Sequence, residues 1–209
     1  MKSSPEFWPW LAPRPLILAS GSATRAAMLR AAGVPYEIVR PEIDERAIET
    51  PLKDRGVNAA DRALALERAK ALTASESNRG NLVLGADQTL EAWDHPGTKA
   101  ADRAQAKRFL QALSGRAHRL HSAAAFARDG VLLFACVETA TLHMRPLSED
   151  FIDAYLNRAR DAALSSVGGY RIEELGAHLF ERIDGDHNVI SGLPLMPALS
   201  FLRRIGAVA

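Results

Sequence analysis

The stretch Pro15-Leu-Ile-Leu-Ala-Ser-Gly-Ser22 and the alanine-rich segment Thr24 to Ala32 after it decide the fold prediction. The apolar run Leu16 to Ala19 has the length and composition of a buried strand. Ser20-Gly21-Ser22 is small and polar, and the segment that follows closes on Gly33, a residue that commonly ends helices. The sequence therefore predicts a strand, a tight turn and a helix, which is a building unit of α/β folds.

Later segments continue this alternation of strands and helices. The first half is predicted to hold a strand at Tyr36 to Arg40, an irregular loop at Pro41 to Asn58, a helix at Asn58 to Ser75 and a buried strand at Leu82 to Ala86. Asp87 follows this last strand directly. A carboxylate at the carboxyl end of a buried strand stands where open α/β sheets place their ligands.

The second half carries clear cap and turn signals. Asp102 is placed to cap a helix that ends at Ser114-Gly115, and Asp129-Gly130 favours a two-residue turn between paired strands. The other predicted elements are hairpin strands at His118 to Arg128 and Val131 to Arg145, a helix at Ser148 to Asn157, a strand at Leu179 to Ile183 and a final helix around Leu195 to Leu202. This mixture predicts a three-layer α/β/α fold with a mixed sheet.

Composition and charge exclude several classes of protein. The 209 residues are 47% hydrophobic with a formal net charge of +1, which disfavours disorder and any global attraction to nucleic acid or an anionic membrane. One cysteine, Cys136, cannot form an internal disulfide, which fits a reducing compartment. No apolar run reaches the ~18 residues of a membrane span, and Met1 to Pro13 lacks a signal-peptide pattern. We expect a cytoplasmic, globular protein of one domain or two closely joined ones.

Ser20-Gly21-Ser22 is a candidate anion site. Small residues before a helix let a phosphate approach the backbone, and the first N–H groups of the helix point at it. Arg25, in the first turn, could add a bidentate contact. From spacing alone, an ordinary strand-to-helix turn capped by Ser22 is slightly more common, and an exposed helical arginine is the more frequent case.

Acidic residues offer a second kind of chemistry. Asp87 either serves a ligand or caps a local turn, and its position favours the ligand. Glu42, Asp44 and Glu45 cluster in the predicted loop. Because magnesium is usually held by one or two carboxylates plus water and phosphate, one of these with Asp87 would be sufficient. A solvated acidic loop is the alternative for each of the three.

The lysines, histidines and tryptophans are less informative on their own. Lys70 has a surface ion pair with Glu67 as its structural explanation, and Lys99 has a solvated loop. His118 and His121 lie an odd number of residues apart, so in a strand they face opposite sides and do not form a zinc site. Cys136 is expected to be a core thiol. Trp8 and Trp10 are expected to cover an apolar patch, with a subunit contact as the alternative.

Taken together, these segments resemble the Maf family of nucleoside triphosphate pyrophosphatases between Leu16 and Leu202. The resemblance rests on Leu18-Ala-Ser-Gly-Ser22 with Arg25, Pro41-Glu-Ile-Asp-Glu45, Ala69-Lys-Ala71, Gly85-Ala-Asp-Gln88, Leu113-Ser-Gly-Arg116 with His118, Gly168-Gly-Tyr170, and Gly185 to Leu195. It implies a single Maf or inosine-triphosphatase-like domain over residues 1–209, with residues 1–14 as an N-terminal extension. It also implies an elongated sheet and a cleft between two lobes.

The activity that the resemblance implies is hydrolysis of a nucleoside triphosphate to a monophosphate and pyrophosphate with a divalent cation, magnesium or manganese. By resemblance, the phosphate-binding residues are Ser20, Ser22, Arg25, Lys70 and Lys99, the catalytic residue is Asp87, and the metal ligands are Glu45 and Asp87. Asp87 would accept a proton from the attacking water. A carboxylate is a weak base, so this mechanism works best on a metal-bound, acidified water.

Three positions bear on the base that the resemblance implies. Gln88 and Glu173 are similar to the branch of the family that acts on 7-methyl-GTP, and Thr24 matches neither known branch well. A glutamate beside a guanine is reasonable because its oxygens accept hydrogen bonds from the ring N–H and the amino group. Ala100 and Ser166 replace the proline and lysine that are usual in the family, which changes the stiffness and charge expected of a site loop.

These departures keep a rival hypothesis open, a non-catalytic nucleotide-binding regulator of cell division. A phosphohydrolase that releases single phosphates is the third alternative. The resemblance further implies a homodimer that acts on noncognate or modified nucleotides. The balanced charge and the lack of a long apolar run predict no nucleic-acid or membrane partner.

Overall fold

A six-stranded sheet organises the chain, and the structure, a computed structural model, describes residues 9–93 and 97–209. The strands are β1 (Leu16–Ala19), β2 (Tyr36–Ile38), β3 (Val83–Glu91), β4 (Ala117–Arg128), β5 (Val131–Met144) and β6 (Phe180–Asp184). Their order is β2-β1-β3-β4-β5-β6. Strand β1 pairs in parallel with β2 and β3, whereas β6 pairs antiparallel with β5. The mixed sheet confirms the predicted α/β class.

Helices occupy most of the connections between these strands. Within the described residues they are α1 (Ala23–Ala31), α2 (Glu45–Asp54), α3 (Ala59–Ser77), α4 (Arg103–Leu113), α5 (Glu149–Ala159), α6 (Asp161–Ser165), α7 (His187–Ile190) and α8 (Leu195–Arg204), with a 3₁₀ helix at Leu175–Leu179. The sequence predicts α1, α3, α4, α5 and α8 within a few residues of their ends. It misses α6, α7 and the 3₁₀ helix, which are too short to show a period.

Helix α2 corrects the prediction of an irregular loop at Pro41 to Asn58. The side chain of Asp44 accepts a hydrogen bond from the Ala47 N–H at 3.1 Å and so caps the helix. Pro51 lies inside it, where a proline removes one backbone donor. The sequence predicts a loop here because the segment mixes acidic residues, prolines and Gly56 without a sustained period. The helix nevertheless forms, with the cap at its start and its half-buried Ile48 and Leu52 one turn apart.

Strand β3 corrects the prediction that a strand ends just before Asp87. Its parallel pairing with β1 finishes where Ala19 meets Gly85, yet β3 continues to Glu91. The reason is that β4, a 12-residue strand, is its neighbour on the other side and keeps the backbone extended. Asp87 therefore lies inside β3, but beyond the end of its pairing with β1.

The hairpin of β4 and β5 forms as predicted. The two linking residues, Asp129 and Gly130, have φ angles of 53° and 80°. A type I′ turn requires positive φ at both central residues, and Asn, Asp and Gly are the residue types that accept it.

The chain divides into two compact units, each with its own core. Among the described residues, unit 1 comprises 9–87, 122–138 and 192–209, and unit 2 comprises 88–93, 97–121 and 139–191. The core of unit 1 includes Trp10, Leu18 and Phe126. The core of unit 2 includes Leu110 and Tyr170. The single domain and the cleft implied by the resemblance stay predictions.

Two further expectations concern the core of unit 1. Trp10 is buried in it, as an apolar cover should be, whereas Trp8 lies outside the described residues. Cys136 is half-buried against the same core, and this burial raises the pKa of its thiol to about 11. A thiol with so high a pKa is largely protonated at neutral pH, in agreement with a packing role.

Candidate active site

The turn between β1 and α1 is held by its own serines. The Ser22 side chain accepts a hydrogen bond from the Arg25 N–H at 3.4 Å and caps α1. The Ser20 hydroxyl oxygen accepts from the Ser22 N–H at 3.4 Å and from Arg25 Nη1 at 2.9 Å. The first turn of α1 holds no acidic residue, so the positive end of its dipole is not neutralised from within the helix. The capping role and the anion-binding role of this turn are therefore compatible.

Arg25 is buried, so the alternative of an exposed helical arginine is wrong. Its Nε donates to the Gly192 carbonyl oxygen at 2.7 Å, and its Nη2 lies 3.4 Å from Asp87 Oδ1. Gly192 has a φ of +103°, and a Cβ there would lie 3.3 Å from Arg25 Nη2. A glycine at this position thus provides both the backbone conformation and the space that the guanidinium needs.

The Lys70 ammonium is surrounded by three carboxylates. Its Nζ lies 2.8 Å from Glu67 Oε1, 3.0 Å from Asp87 Oδ2 and 3.1 Å from Glu45 Oε1. The contact with Asp87 is a hydrogen bond, and the other two are ion pairs. The ion pair with Glu67 exists as predicted, but both residues are buried. The expectation of a surface pair is wrong because α3 packs this face inward, with the neighbouring Ala63, Leu66 and Ala71.

Glu67 is the most buried charged group of the cluster, with none of its surface exposed. Burial raises its pKa to about 7, against the attraction of Lys70, which lowers it. Burial also opposes the charge of Lys70, but Asp87 and Glu67 outweigh that effect and its pKa is raised above the ordinary value. Lys70 therefore stays protonated at neutral pH.

Gly85 makes room for this arrangement. A Cβ at Gly85 would lie 2.7 Å from the backbone oxygen of Glu67 and 3.2 Å from Glu67 Oε2. Strand β3 and helix α3 consequently approach one another at a point two residues before Asp87. The glycine lets the Glu67 carboxylate lie beneath the strand that carries Asp87.

Arg40 is a cation near the turn that the sequence analysis overlooked. Its guanidinium packs over Gly21, so that a Cβ on this glycine would lie 3.1 Å from Arg40 Nε. Arg40 is exposed, and among the described residues its side chain has no ion-pair partner. Its position after a short strand gave no signal, because only the pairing of β2 with β1 brings it to this turn.

Comparison with known proteins identifies the family of this chain. The sequence model of the family described as Maf-like protein matches residues 15–205. The chain belongs to the Maf family. The resemblance drawn from the motifs is thereby confirmed.

Several similar relatives of this Maf chain have names that state an activity. A nucleoside triphosphate pyrophosphatase of Rhodopseudomonas palustris (strain HaA2) is 50% identical over 195 residues, which cover 93% of this chain and 95% of the relative. A 7-methyl-GTP pyrophosphatase of Mesorhizobium japonicum is 50% identical over 193 residues, covering 92% and 97%. A 7-methyl-GTP pyrophosphatase of Brucella abortus is 47% identical over 189 residues, covering 90% and 95%.

Among solved structures, a HAM1 protein from Coxiella burnetii aligns with a TM-score of 0.43 and 19% identity, covering 62% of this chain and 72% of that one.

The three residues tied to base choice have different surroundings. Thr24 is half-buried on α1 in unit 1, and Glu173 is exposed in a turn of unit 2. Gln88, in unit 2, uses its side-chain amide to donate to the carbonyl oxygens of Val189 and Ile190, at 2.9 and 2.8 Å. Gln88 therefore also anchors α7 to strand β3.

Lys99 belongs to unit 2 and is exposed. It forms an isolated bridge with Val167, one residue after Ser166, and Ala100 beside it is buried. The structure thus confirms its place in a loop before α4. Its predicted contact with phosphate stays a prediction.

The histidines of β4 have structural partners, as expected. His118 Nε2 lies 2.6 Å from the Tyr170 hydroxyl. His121 contacts the Thr139 hydroxyl at 2.8 Å and Glu91 at 2.9 Å, and its hydrogen bond to Glu91 lowers the pKa of that carboxyl. Each imidazole is held by the side chains around it, which fits a role in packing.

Glu45 and Asp87 form a donor set that fits a divalent cation. Both place a carboxylate oxygen within 3.1 Å of the same Lys70 Nζ, so their oxygens already converge on one positive charge. Among residues 9–93 and 97–209, no three His, Cys, Asp or Glu side chains form a cage for a metal ion. Two carboxylates that leave places for water and phosphate are typical of magnesium sites. Glu42 is exposed and Asp44 is the cap of α2, so they are not part of this set.

No helix in the described part of the chain is long and apolar enough to span a membrane.

Proposed function

We propose that this protein hydrolyses nucleoside triphosphates to the monophosphate and pyrophosphate, acting on noncognate or modified nucleotides. The names of relatives about half identical to it support a pyrophosphatase activity, with 7-methyl-GTP among the candidate substrates. The observation that carries the proposal is that Arg25 and Lys70 both contact Asp87, and that Arg25 also contacts Ser20 in the Ser20 to Ser22 turn.

The turn is the proposed binding place of the phosphates. The Ser20 and Ser22 hydroxyls, the first N–H groups of α1 and the Arg25 guanidinium all supply donors there. Lys70 and Arg40 add positive charge, and by the family resemblance Lys99 contributes a further ammonium group. Several cations are needed because a triphosphate carries a large negative charge.

Asp87 is the proposed proton acceptor. Arg25 and Lys70 each contact one of its oxygens, so the carboxylate lies between two cations that would also attract the phosphates. In the proposed reaction, water supplies a hydroxyl group to phosphorus while the bond between the α and β phosphates breaks. The water proton passes to Asp87 and pyrophosphate takes the electrons of the broken bond. Positioning and charge neutralisation supply most of the acceleration in reactions of this kind.

Glu45 and Asp87 are the proposed ligands of a magnesium or manganese ion. Such an ion acidifies a bound water and neutralises phosphate charge. Glu45 would hold it from the first turn of α2, where its side chain is half exposed and free to adjust.

Base recognition is proposed for Thr24, Gln88 and Glu173. Because the Gln88 amide is already engaged by α7, we expect its effect on specificity to include the placement of that helix. Glu173 is exposed and offers two acceptor oxygens to a guanine edge.

A panel of nucleotides tests the function directly. The protein is incubated with canonical triphosphates and 7-methyl-GTP, each with magnesium or manganese, and pyrophosphate and phosphate are assayed separately. We expect pyrophosphate release that stops when the metal is chelated. Phosphate as the sole product would identify a different phosphohydrolase, and nucleotide binding without turnover would identify a non-catalytic regulator.

A homodimer and a cytoplasmic location are also proposed. Light scattering coupled to size-exclusion chromatography tests the first, and a mass near twice the 22.7 kDa of the chain is expected. Cell fractionation tests the second.

A further inference from the structure

Glu67 is a buried carboxylate to which neither the family resemblance nor the proposed reaction gives a role. Burying a charge costs free energy, and proteins retain such groups where a partner or a task requires them. Its Oε1 forms an ion pair with Lys70 Nζ at 2.8 Å, but among the described residues neither Oε1 nor Oε2 has a partner with hydrogen-bond geometry. Fold stability alone does not explain this buried carboxylate, because an apolar side chain would fill the same space at a lower cost in free energy.

The three carboxylates around Lys70 differ in how much of each side chain is exposed to solvent. The side chains of Asp87 and Glu45 are 33% and 51% exposed, whereas that of Glu67 is fully enclosed. A triphosphate and a cation at this place would engage Asp87 and Glu45, which would leave Glu67 as the remaining carboxylate beside Lys70. Glu67 cannot turn away, because it is covered by Gly85 and lies one helical turn from Lys70 on α3.

We propose that Glu67 is a positioning residue that keeps the Lys70 ammonium in place for the phosphates when Asp87 and Glu45 turn to substrate and metal. This inference rests on the proposed function. Glu67 touches neither substrate nor reacting atoms and acts only through Lys70. Its removal therefore matters only while the lysine is present.

A double-mutant cycle of Glu67→Met and Lys70→Met tests this dependence. Glu67→Met keeps the length of the side chain and removes the acceptor, and Lys70 retains Asp87 and Glu45 as partners. We expect kcat/KM to fall on the order of 10-fold, mostly through KM, with no loss in Tm, because a buried charge is removed. In the Lys70→Met background the same change should have no further effect. Unchanged kcat/KM in Glu67→Met, or an equal loss in both backgrounds, would overturn the proposal.

Ser75→Ala is the matched control. Ser75 is also a fully buried polar residue of α3, but it bonds to Leu72 and Gly130. We expect this variant to lose stability and keep its kcat/KM, the opposite of Glu67→Met. A similar loss of kcat/KM in the control would indicate a general effect of altering α3 and would contradict the proposal.

A second variant and a second measurement guard against two kinds of failure. If Glu67→Met does not fold, Glu67→Gln completes the same cycle with an expected loss of about threefold, and strict additivity would overturn the proposal. If the wild type releases no pyrophosphate, the proposed function fails by itself. Binding of a nonhydrolysable α,β-methylene triphosphate then still tests the positioning role, which requires weaker binding in Glu67→Met only when Lys70 is present.

Discussion

Two lysine–carboxylate pairs of almost equal length have very different surroundings. Lys70 Nζ lies 2.8 Å from Glu67 in unit 1, and Lys107 Nζ lies 2.7 Å from Asp153 in unit 2. The first pair is enclosed and shares its lysine with Asp87 and Glu45, whereas the second joins α4 to α5 with both side chains partly exposed to solvent.

The direction of the carboxyl pKa shows what burial does. In the exposed pair, the hydrogen bond to Lys107 lowers the pKa of Asp153. In the enclosed pair, burial raises the pKa of Glu67 although a lysine is equally close. Exposed pairs contribute little to stability, and buried ones require a further explanation. The distance alone does not distinguish a surface pair from part of an active site.

The largest expected effect comes from removing the shared carboxylate. Asp87→Asn should lower kcat by at least about a thousandfold while nucleotide binding stays measurable, because the proton acceptor is lost and the shape is kept. Pyrophosphate release and equilibrium binding of a nonhydrolysable nucleotide measure the two quantities. Asp153→Asn is the control and should leave both unchanged. Wild-type turnover in Asp87→Asn would remove this residue from the mechanism.

The next effect comes from the lysines of the two pairs. Lys70→Met should lower kcat/KM by about a hundredfold, since a phosphate partner is lost, while Lys107→Met should leave it within about twofold. Steady-state kinetics of both variants provides the comparison. Equal losses would show that the enclosed pair has no special role.

A smaller effect is expected in the pH dependence of stability. The pKa of Glu67 is raised to about 7 in the folded protein from 4.5, so the folded state holds more protons than the unfolded state between these values. This contribution favours folding at low pH and is lost as the pH rises to 7. From pH 5 to pH 7 the wild type should lose on the order of 2 kcal/mol relative to Glu67→Gln.

Urea denaturation of the wild type and Glu67→Gln at both pH values measures this difference. Asp153→Asn should show almost no change in its gap to the wild type over this range, because the pKa of Asp153 is lowered from 3.8 and the carboxylate is ionised in both the folded and the unfolded state at pH 5 and 7. A constant gap between the wild type and Glu67→Gln at pH 5 and 7 would contradict the effect assigned to burial.

The smallest expected effect is a change in KM on removal of Arg40, an exposed cation that packs over Gly21. Arg40→Ala should raise KM for the triphosphate about fivefold with kcat unchanged, because one phosphate contact in water is lost. Arg128→Ala is the control, an exposed arginine at the far end of β4. Identical KM values in the two variants would exclude Arg40 from the binding site.

Much of the fold is predictable because its signals are local. Ser22, Asp102 and Ser148 cap helices as expected, and Asp129-Gly130 forms the expected turn. These signals act over a few residues. Helix α2 is missed because its proline is a strong local sign against helix, and the prediction did not treat the Asp44 cap as a helix start. The continuation of β3 beyond Asp87 is missed because the support comes from β4, some thirty residues later in the chain.

The candidate site was predicted in composition but not in arrangement. The motifs predict Arg25, Lys70 and Asp87 as site residues, and in the structure Arg25 and Lys70 both contact Asp87. The spacing on α3 predicts Glu67 only as a surface partner of Lys70, as the structural alternative for that lysine, and no motif includes Arg40. Helical spacing places Glu67 beside Lys70, but it does not reveal that Gly85 covers the pair.

The sequence by itself determined the α/β class, the turn after β1, most helix ends and the family, because caps, turns and motifs are properties of short segments. Only the tertiary structure decided which charges are buried, where Asp87 lies in its strand and which carboxylates share Lys70. Burial depends on residues distant in the chain, such as Gly85 over Glu67 and Gly192 beside Arg25. Burial decides the pKa of a charged group and its contribution to stability, so both are determined only when the chain folds.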